Sequence, residues 1–474
     1  MLMKKKVLVG AMLLAGLTGS SLSLTAQAAE ATYQDPVLTL QGSPEVFKKG
    51  MEADGYSSAV MAWTWGYPLV RMEQIAREYT DVPAPKPPTS YRAPLNQIGW
   101  ATELATPAAK DMPSANNDTL YMSAVVQLDE PYVLTVPDLH DRYYVVDVFN
   151  MWQELEHYIG RRTTGTKAGK FVFVPPGWKG ELPKDATVLK VSTNKIWLWG
   201  RMRVTQGEDM APLHALQKQF HLQSASGKVY NDTLAPMPAL KNDGLDFFRQ
   251  LAFAIKSNPV KPEDKGLFGQ FSRFGLTEKG FDSSNIASPI LEGVKRGVKD
   301  APYVAVSTMV STSEVRQGWS YVKGLDDFGY NYPLRSLVSG PYLGGQGERE
   351  AVYPVRYNDS EGKALSGASS YTLTLNSEPP VNAFWSVTIY DADTKMLVDN
   401  PLNRYKIGSD TQGLVKDKDG SLNITLSHTQ PEDKNANWLP APEGNFYLLF
   451  RLYQPKDSVM DGSWKLPEVV RKTE

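Results

Sequence analysis

The stretch "PSANNDTLYMSAVVQL", residues 113–128, places a cluster of polar residues directly before an apolar run. Asn and Asp side chains hydrogen-bond to nearby backbone and tolerate unusual φ angles, so Asn116–Asp118 predicts a turn. The run that begins at Tyr121 is typical of a strand. Because a turn alone does not need this many polar groups, we expect the segment also to border a pocket, since loops on rigid scaffolds carry function.

Similar short runs follow this strand at close intervals. They are "YVLTV", "YYVVDVF", "KFVFVPP", "TVLKV" and "IWLWGRMRV", and later "YTLTLN", "FWSVTIYD", "LNITLSH" and "FYLLFRLYQP". Pro, Gly, Asp and Asn separate many of them, a pattern that favours antiparallel sandwiches or barrels over α/β folds with crossover helices. The sequence therefore predicts a mainly β protein with two β-sandwich-like domains and a helical connector.

Helical periodicity marks the regions before and between the two β regions. Residues 44–78 have helical apolar spacing, with a break expected near Pro68 because proline removes a helix hydrogen bond. In the middle of the chain, "DGLDFFRQLAFAIKSN" and "SNIASPILEGVKRGVKD" predict further helices. The expected organisation is a signal peptide at 1–28, a helical segment with a Pro-rich connection at 29–92, a first β domain at 93–205, a helical connector at 206–345 and a second β domain at 346–474.

The N-terminus predicts export. Lys4–Lys6 precede the apolar run "VLVGAMLLAGL", and Ala26–Ala28 has the small-residue pattern of a signal-peptide cleavage site. The apolar run is shorter than the roughly 20 residues that a membrane helix needs. We therefore expect a soluble periplasmic or secreted protein without a membrane span.

Composition limits the chemistry. The 474 residues include no cysteine, which excludes disulfides, thiolate metal sites and a cysteine nucleophile. The formal net charge is −2 and no basic block occurs, so nucleic acid is not an expected partner. The nucleophile elbow, the Walker loop, the zinc-protease motif and the dinucleotide fingerprint are all missing. We predict no metal ligands, although Glu154 and His157 would share a face if "WQELEH" were helical, and no cofactor can be identified.

Carboxylates are the remaining candidates for catalysis, and they are Asp118, Asp147 and Glu154. Asp147 interrupts an apolar run, where a buried carboxylate must be paired or neutral. An outward-facing position in an alternating strand is the alternative for this residue. Any of the three could act as general base in a hydrolase, with or without an oxygen-ligated Ca²⁺ or Mg²⁺.

Candidate ligand-binding residues occur near predicted strand ends in both β regions. They are Asn117, Asp118, Thr119, Tyr121, Trp152 and Arg161 in the first, and Trp385, Arg404 and Trp438, with Asn437 beside the last, in the second. Ligand sites favour domain interfaces, where two walls enclose a ligand and exclude water. The sequence thus predicts a site between the two β domains, while either tryptophan of the second region, taken singly, is better explained as core.

Several longer motifs carry a family resemblance. They are "PLNQIGW" (94–100), "NNDTLY" (116–121) and "DRYYVVDVFNMW" (141–152), followed by "PPVNAFWSVTIYD" and "NWLPAPEGNFYLLFRLYQP". With these motifs the chain resembles exported bacterial proteins that pair domain-of-unknown-function family 1254 with family 1214. The resemblance implies an all-β first domain, a jelly-roll-like second domain and helices between them. It supplies no catalytic residue; Asn117, Asp118, Thr119 and Tyr121 are the positions that match the family motif.

Three functions remain open at this stage. The favoured one is binding or processing of a small polar ligand, bearing hydroxyl, carboxylate or phosphate groups, between the β domains. A carboxylate- or metal-dependent hydrolase and a non-catalytic envelope interaction protein are the alternatives. The sequence is compatible with a homo-oligomer and sets no number of subunits.

Overall fold

The computed structural model describes residues 35–109 and 114–472. The chain divides into two compact units, residues 1–47 and 48–474. The described part of the first unit holds α1 (Pro36–Thr39) and the start of α2 (Pro44–Thr80). The predicted signal peptide, residues 1–28, lies outside the described residues. Within the described ranges, no helix is both long and apolar enough to cross a membrane.

Helix α2 runs without interruption through Pro68, so the expected break is wrong. Proline at this position leaves the carbonyl of Thr64 without its helical donor. The hydroxyl of Ser336 takes that role and donates to the Thr64 oxygen at 2.5 Å. A partner distant in sequence therefore restores the hydrogen bond that the proline removes.

The first β region consists of two packed sheets. Its elements are β1 (Gly99–Trp100), β2 (Thr119–Gln127), β3 (Tyr132–Val136), β4 (Tyr144–Asn150), β5 (Leu155–Gly160), β6 (Gly169–Val174), β7 (Thr187–Lys190), β8 (Lys195–Arg203), α3 (Met210–Gln217) and β9 (His221–Ser224). The first sheet has the order β1-β2-β8-β4-β5 and the second has the order β7-β6-β3-β9. All pairs are antiparallel except β6 with β7.

The first sheet is covered on both faces. Met122 and Leu198 point into a core shared with Phe173 of the second sheet. Their strand neighbours on the opposite face, such as Trp197, pack into a cluster with Trp65 of α2. Strands buried on both faces carry near-continuous apolar runs, which explains the sequence pattern of β2, β4 and β8.

The segment between the β regions is mostly helical. It holds α4 (Asp246–Ser257), α5 (Leu267–Phe271), β10 (Leu276–Thr277), β11 (Gly280–Phe281), α6 (Ser288–Thr312), β12 (Ser313–Arg316), β13 (Trp319–Val322) and α7 (Tyr332–Ser339). Strands β12 and β13 join a sheet of the second β region. The predicted domain boundaries at residues 205 and 345 stay predictions.

The second β region is again a pair of sheets. Its elements are β14 (Ala351–Val352), β15 (Val355–Arg356), β16 (Tyr371–Leu375), β17 (Trp385–Asp391), β18 (Lys406–Gly408), β19 (Leu422–Ser427), β20 (Asn437–Pro440), β21 (Phe446–Tyr453), α8 (Asp457–Met460) and β22 (Val469–Arg471). The third sheet has the order β12-β13-β15-β21-β17-β18, with β14 also paired to β21, and the fourth has the order β20-β19-β16-β22. The predicted mainly β fold with a helical connector is confirmed.

The third sheet has one apolar and one polar face. Val387 and Phe450 point into the core shared with the fourth sheet. Ser386 and Arg451, directly opposite each other on β17 and β21, belong to the other face because side chains alternate along a strand. Both are buried, so this polar face must be covered by another part of the chain.

Candidate functional site

The polar segment 114–118, here called the docking segment, covers this polar face. Four hydrogen bonds join this segment to the third sheet. They are Ser114 Oγ–Tyr447 Oη (2.7 Å), Ala115 O–Tyr390 Oη (2.6 Å), Asn116 Nδ2–Tyr453 Oη (2.5 Å) and Asp118 Oδ2–Ser386 Oγ (2.6 Å). The turn at the start of β2 therefore attaches the first β region to the second. This contact accounts for the number of polar groups gathered before the strand.

Asp118 is the charged centre of the docking segment. It is 1% exposed, and its Oδ1 accepts a hydrogen bond from Lys406 Nζ at 2.5 Å. Burial works to raise the pKa of Asp118, but Lys406 and Arg451 outweigh it and hold the pKa below its usual range. Asp118 is therefore an anion near neutral pH and a poor general base.

Arg451 extends the same network. Its guanidinium donates to Thr388 Oγ1 at 2.9 Å, to Tyr390 Oη at 2.7 Å and to the Ser114 carbonyl at 2.9 Å. No salt bridge joins it to a carboxylate of the described residues, although the charge of Asp118 acts on it. The two β regions thus share a buried cation as well as a buried ion pair.

Asp147 occupies a different part of the interface. It lies on β4 and is fully buried, with Arg201 and Gln346 as its hydrogen-bonding partners. Burial raises the pKa of Asp147 from 3.8 to about 7, although Arg201 opposes the change. The outward-facing alternative is wrong, because this face of the sheet is also covered: the loop that carries Gln346 contacts Asp147 and leaves it no exposure.

Glu154 is held by the helical segment. Its Oε1 accepts from Lys261 Nζ at 2.6 Å and from Arg335 Nη1 at 3.0 Å. Burial raises the pKa of Glu154, and these cations outweigh that effect and lower it. His157 lies on β5, so the helix face proposed for Glu154 and His157 is wrong, because "ELEH" continues from a β-bulge into a strand.

A cavity of about 240 Å³, here called the flank cavity, opens beside the Asp118–Lys406 pair. Both β regions line it: Leu104, Asn117, residues 204–208 and Met210 come from the first, and residues 403–406 come from the second. Arg404 donates to the Trp438 carbonyl at 2.9 Å, and no ion pair engages it among the described residues. The carboxamide of Asn400 bonds both backbone groups of Arg404 and fixes the loop.

The predicted ligand-binding residues separate into three groups. Asn117, Asp118, Arg161 and Arg404 lie at or near the junction of the β regions. Thr119 and Tyr121 begin β2, with Tyr121 stacked on Trp199 at 4.7 Å between ring centroids. The tryptophans lie elsewhere: Trp152 bonds the Pro259 carbonyl, Trp385 bonds Glu378 in the second core, and Trp438 bonds the Ser427 carbonyl beside Asn437.

The sequence does not predict which residues of the second β region bind the docking segment. Ser386 and Lys406 bind Asp118, and Tyr453 binds Asn116. Ser386 and Tyr453 lie within the quoted family motifs, but the motifs do not mark them as partners, and Lys406 lies outside these motifs. Ser386 does interrupt the apolar run "FWSVTIYD", and this polar interruption is the signal available in the sequence. In the described residues, no cluster of three or more His, Cys, Asp or Glu side chains could hold a metal ion.

Comparison with known proteins places both β regions in families. Residues 95–224 match the family described as a protein of unknown function, DUF1254. Residues 350–457 match a second family with the same description, DUF1214. The chain pairs DUF1254 with DUF1214. The predicted families and their order are confirmed, and neither description names an activity.

Two solved structures resemble the DUF1254–DUF1214 chain. The VPA0106 protein from Vibrio parahaemolyticus has 25% sequence identity and a TM-score of 0.69, with 88% of this chain and 100% of that chain covered. A putative uncharacterized protein from Burkholderia cenocepacia has 10% identity and a TM-score of 0.41 over 90% of this chain and 95% of that chain. A search of curated proteins found no significant match. The first structure shows that the fold recurs over most of the chain.

Proposed function

We propose that the protein binds a small polyhydroxylated carboxylic acid, such as an acidic monosaccharide, in the flank cavity. The observation that carries this proposal is a cavity lined by both β regions in which Arg404 has no carboxylate partner among the described residues. A guanidinium group binds a carboxylate through two parallel hydrogen bonds. Arg404 is therefore the residue that would bind the anionic group of the ligand.

The other charged groups at the cavity are already neutralised. Lys406 lies 2.5 Å from Asp118 and 3.5 Å from Asp410, and Glu208 is bound by Arg142. An incoming carboxylate consequently meets one uncompensated cation rather than a broad positive field. This balance favours a ligand with a single negative charge over a polyanion such as a nucleotide.

The neutral lining suits hydroxyl groups on an aromatic support. Asn117 and Asn403 supply carboxamides, while Tyr405 supplies a ring with a polar end. The volume of about 240 Å³ falls below the roughly 300–1,000 Å³ of typical ligand pockets, so the ligand must be small. A single sugar ring with one carboxylate meets these requirements.

The hydrolase alternative has less support. The pKa values of Asp118 and Glu154 are lowered, which disfavours general base catalysis near neutral pH. Asp147 has a suitable pKa of about 7, but it is fully buried and does not line the flank cavity. The proposal is therefore limited to binding.

Calorimetric titration of the full mature chain with glucuronate, glucose and acetate tests the proposal. We expect glucuronate to bind, glucose to bind more weakly because it lacks the anion, and Arg404→Gln to weaken glucuronate about tenfold, the loss of one charge-assisted contact. Arg296→Gln is the matched control, because it removes an exposed guanidinium outside this cavity. Equal binding of glucose and glucuronate, or no effect of Arg404→Gln, would contradict the assignment.

A further inference from the structure

A second cleft lies at the junction of the β regions, separate from the flank cavity. Its volume is about 460 Å³, and its lining residues are Arg162, Arg349, Asn382, Gln454, Pro455, Asp457 and Met460. None of these residues lines the flank cavity. We call it the arginine cleft, and we propose that it binds a 2-hydroxy or 2-amino carboxylate.

Two guanidinium groups provide the carboxylate-binding chemistry. Arg349 is exposed and forms no ion pair with the described residues. Arg162 directs its Nε to the buried carboxylate of Glu350 at 2.5 Å, and the described residues give its two Nη atoms no hydrogen bond. Glu350 in turn accepts from Tyr143 Oη at 3.0 Å, so the orientation of Arg162 is set from the protein interior.

Gln454 supplies a further donor. It is 4% exposed, and its Nε2 is buried without a partner in the described part of the chain. Its Oε1 accepts from Arg161 Nη1 at 3.2 Å, which fixes which end of the amide is the nitrogen. An unpaired buried amide donor is costly, and a ligand oxygen would remove that cost once the Gln454 side chain turned its Nε2 toward the cleft that it lines.

Asp457 indicates which second functional group the ligand carries beside its carboxylate. It is the acidic residue among those that line the cleft, and it is exposed. A simple anion would leave this carboxylate unused and would be repelled by it. A hydroxyl or ammonium group next to the carboxylate of the ligand would instead donate to Asp457. The cleft therefore fits a carboxylate that carries a hydrogen-bond donor on the adjacent carbon.

Arg161 acts here as a positioning residue. Its Nη1 also donates to the Asn382 carbonyl at 3.1 Å, so one side chain holds two lining residues. The sequence placed Arg161 in a ligand site, and the geometry indicates that it would act through Gln454 and Asn382. This role does not depend on the function proposed for the flank cavity.

Ligand-observed saturation-transfer NMR on the full mature chain tests the arginine cleft. The probes are lactate, acetate, methyl lactate and inorganic phosphate. We expect transfer to lactate and much weaker transfer to acetate, which lacks the hydroxyl, and to methyl lactate, which lacks the charge. No transfer to lactate, or a stronger signal from phosphate, would overturn the proposal.

Variants assign the signal to this cleft. Arg349→Gln should weaken lactate binding about tenfold, as expected for one charge-assisted contact. Lys456→Gln is the matched control, because it removes an exposed charge between two lining residues without lining the cleft itself. Arg404→Gln reports any lactate held in the flank cavity, so a loss in Arg349→Gln that is absent from Arg404→Gln assigns the signal to the arginine cleft. An equal loss in Arg349→Gln and Lys456→Gln would show non-specific attraction and overturn the proposal.

Discussion

Asp118 and Asp147 are both fully enclosed carboxylates of the first β region, and each is paired with a cation. Asp118 is bound by Lys406 of the second region and has a lowered pKa. Asp147 is bound by Arg201 of its own sheet and has a pKa raised to about 7. Burial acts in the same direction on both, so the difference comes from the surrounding charges.

The surrounding charges differ in number and sign. Asp118 experiences Arg451 in addition to Lys406. Asp147 experiences the repulsion of Glu350, which adds to burial and offsets part of the attraction of Arg201. For these two carboxylates, a second nearby cation accompanies the lowered pKa of Asp118, and a nearby anion accompanies the raised pKa of Asp147.

The largest expected effect is that of Asp118→Ala. Without Asp118, Lys406 keeps only the more distant carboxylate of Asp410, at 3.5 Å, and the charge of Arg451 loses its nearby anion. Breaking a buried pair typically costs about 3–5 kcal/mol of unfolding free energy, and Asp410 places the expected loss toward the lower end. Urea denaturation of the purified protein measures the loss. The double variant Asp118→Ala/Lys406→Met should recover part of the stability, because it removes both charges of the closer pair while Asp410 loses its lysine partner. A loss below about 1 kcal/mol in the single variant would mean that the pair is no stronger than an exposed one.

Asp147→Asn should change the pH dependence of stability. The folded-state pKa of about 7 exceeds the ordinary 3.8, so the folded protein binds more protons than the unfolded chain between these values. The contribution of Asp147 is therefore greatest below about pH 4 and is lost as the pH rises to about 7, with a slope of at most about 1.4 kcal/mol per pH unit.

Denaturation midpoints measured across this pH range check the prediction. The unfolding free energy of the wild type minus that of Asp147→Asn should fall as the pH rises. The same difference for the exposed Asp393→Asn should not change with pH. Asp118 contributes with the opposite sign: its stabilisation is present above the ordinary pKa and is lost as the pH falls through the lowered one. A flat difference curve for Asp147→Asn would show that the carboxyl has an ordinary pKa.

Arg161→Gln should have the smallest effect. Its guanidinium also joins the two β regions, but its carboxylate partner Asp141 is 78% exposed at the side chain. Exposed ion pairs contribute about 0–1 kcal/mol, so we expect a loss within that range by the same urea measurement. A loss as large as that of Asp118→Ala would indicate that burial does not separate strong from weak contacts at this junction.

The sequence predicted the sheets better than the contacts between them. Runs such as "IWLWGRMRV" correctly indicated β8, and the polar turn before Tyr121 correctly indicated a special segment. The run itself does not reveal what covers its second face, because alternation is lost when both faces are buried. Trp152 and Trp385 were assigned to a ligand site by their residue type, although each has a structural hydrogen-bonding partner.

The partners of the docking segment could not be predicted for a related reason. Ser386 and Lys406 come near Asp118 only through the relative placement of two sandwiches, and a hydrogen bond across that junction has no fixed spacing in sequence. The expected break at Pro68 failed in the same way, because the compensating hydroxyl of Ser336 lies far along the chain. Predictions from neighbouring residues therefore fail where a residue distant in sequence supplies the missing hydrogen-bonding group.

The pairing of Thr64 with Ser336 also bears on the order in which the protein forms during synthesis. The two residues are 272 positions apart, so α2 leaves the ribosome long before its hydroxyl donor is made. During that interval the carbonyl opposite Pro68 can bond only to water, and the helix remains open to bending there. Since N-terminal parts generally fold first as the chain emerges, the hydrogen bond at the Thr64 carbonyl must wait for α7, and the connector completes a helix that is synthesised long before it.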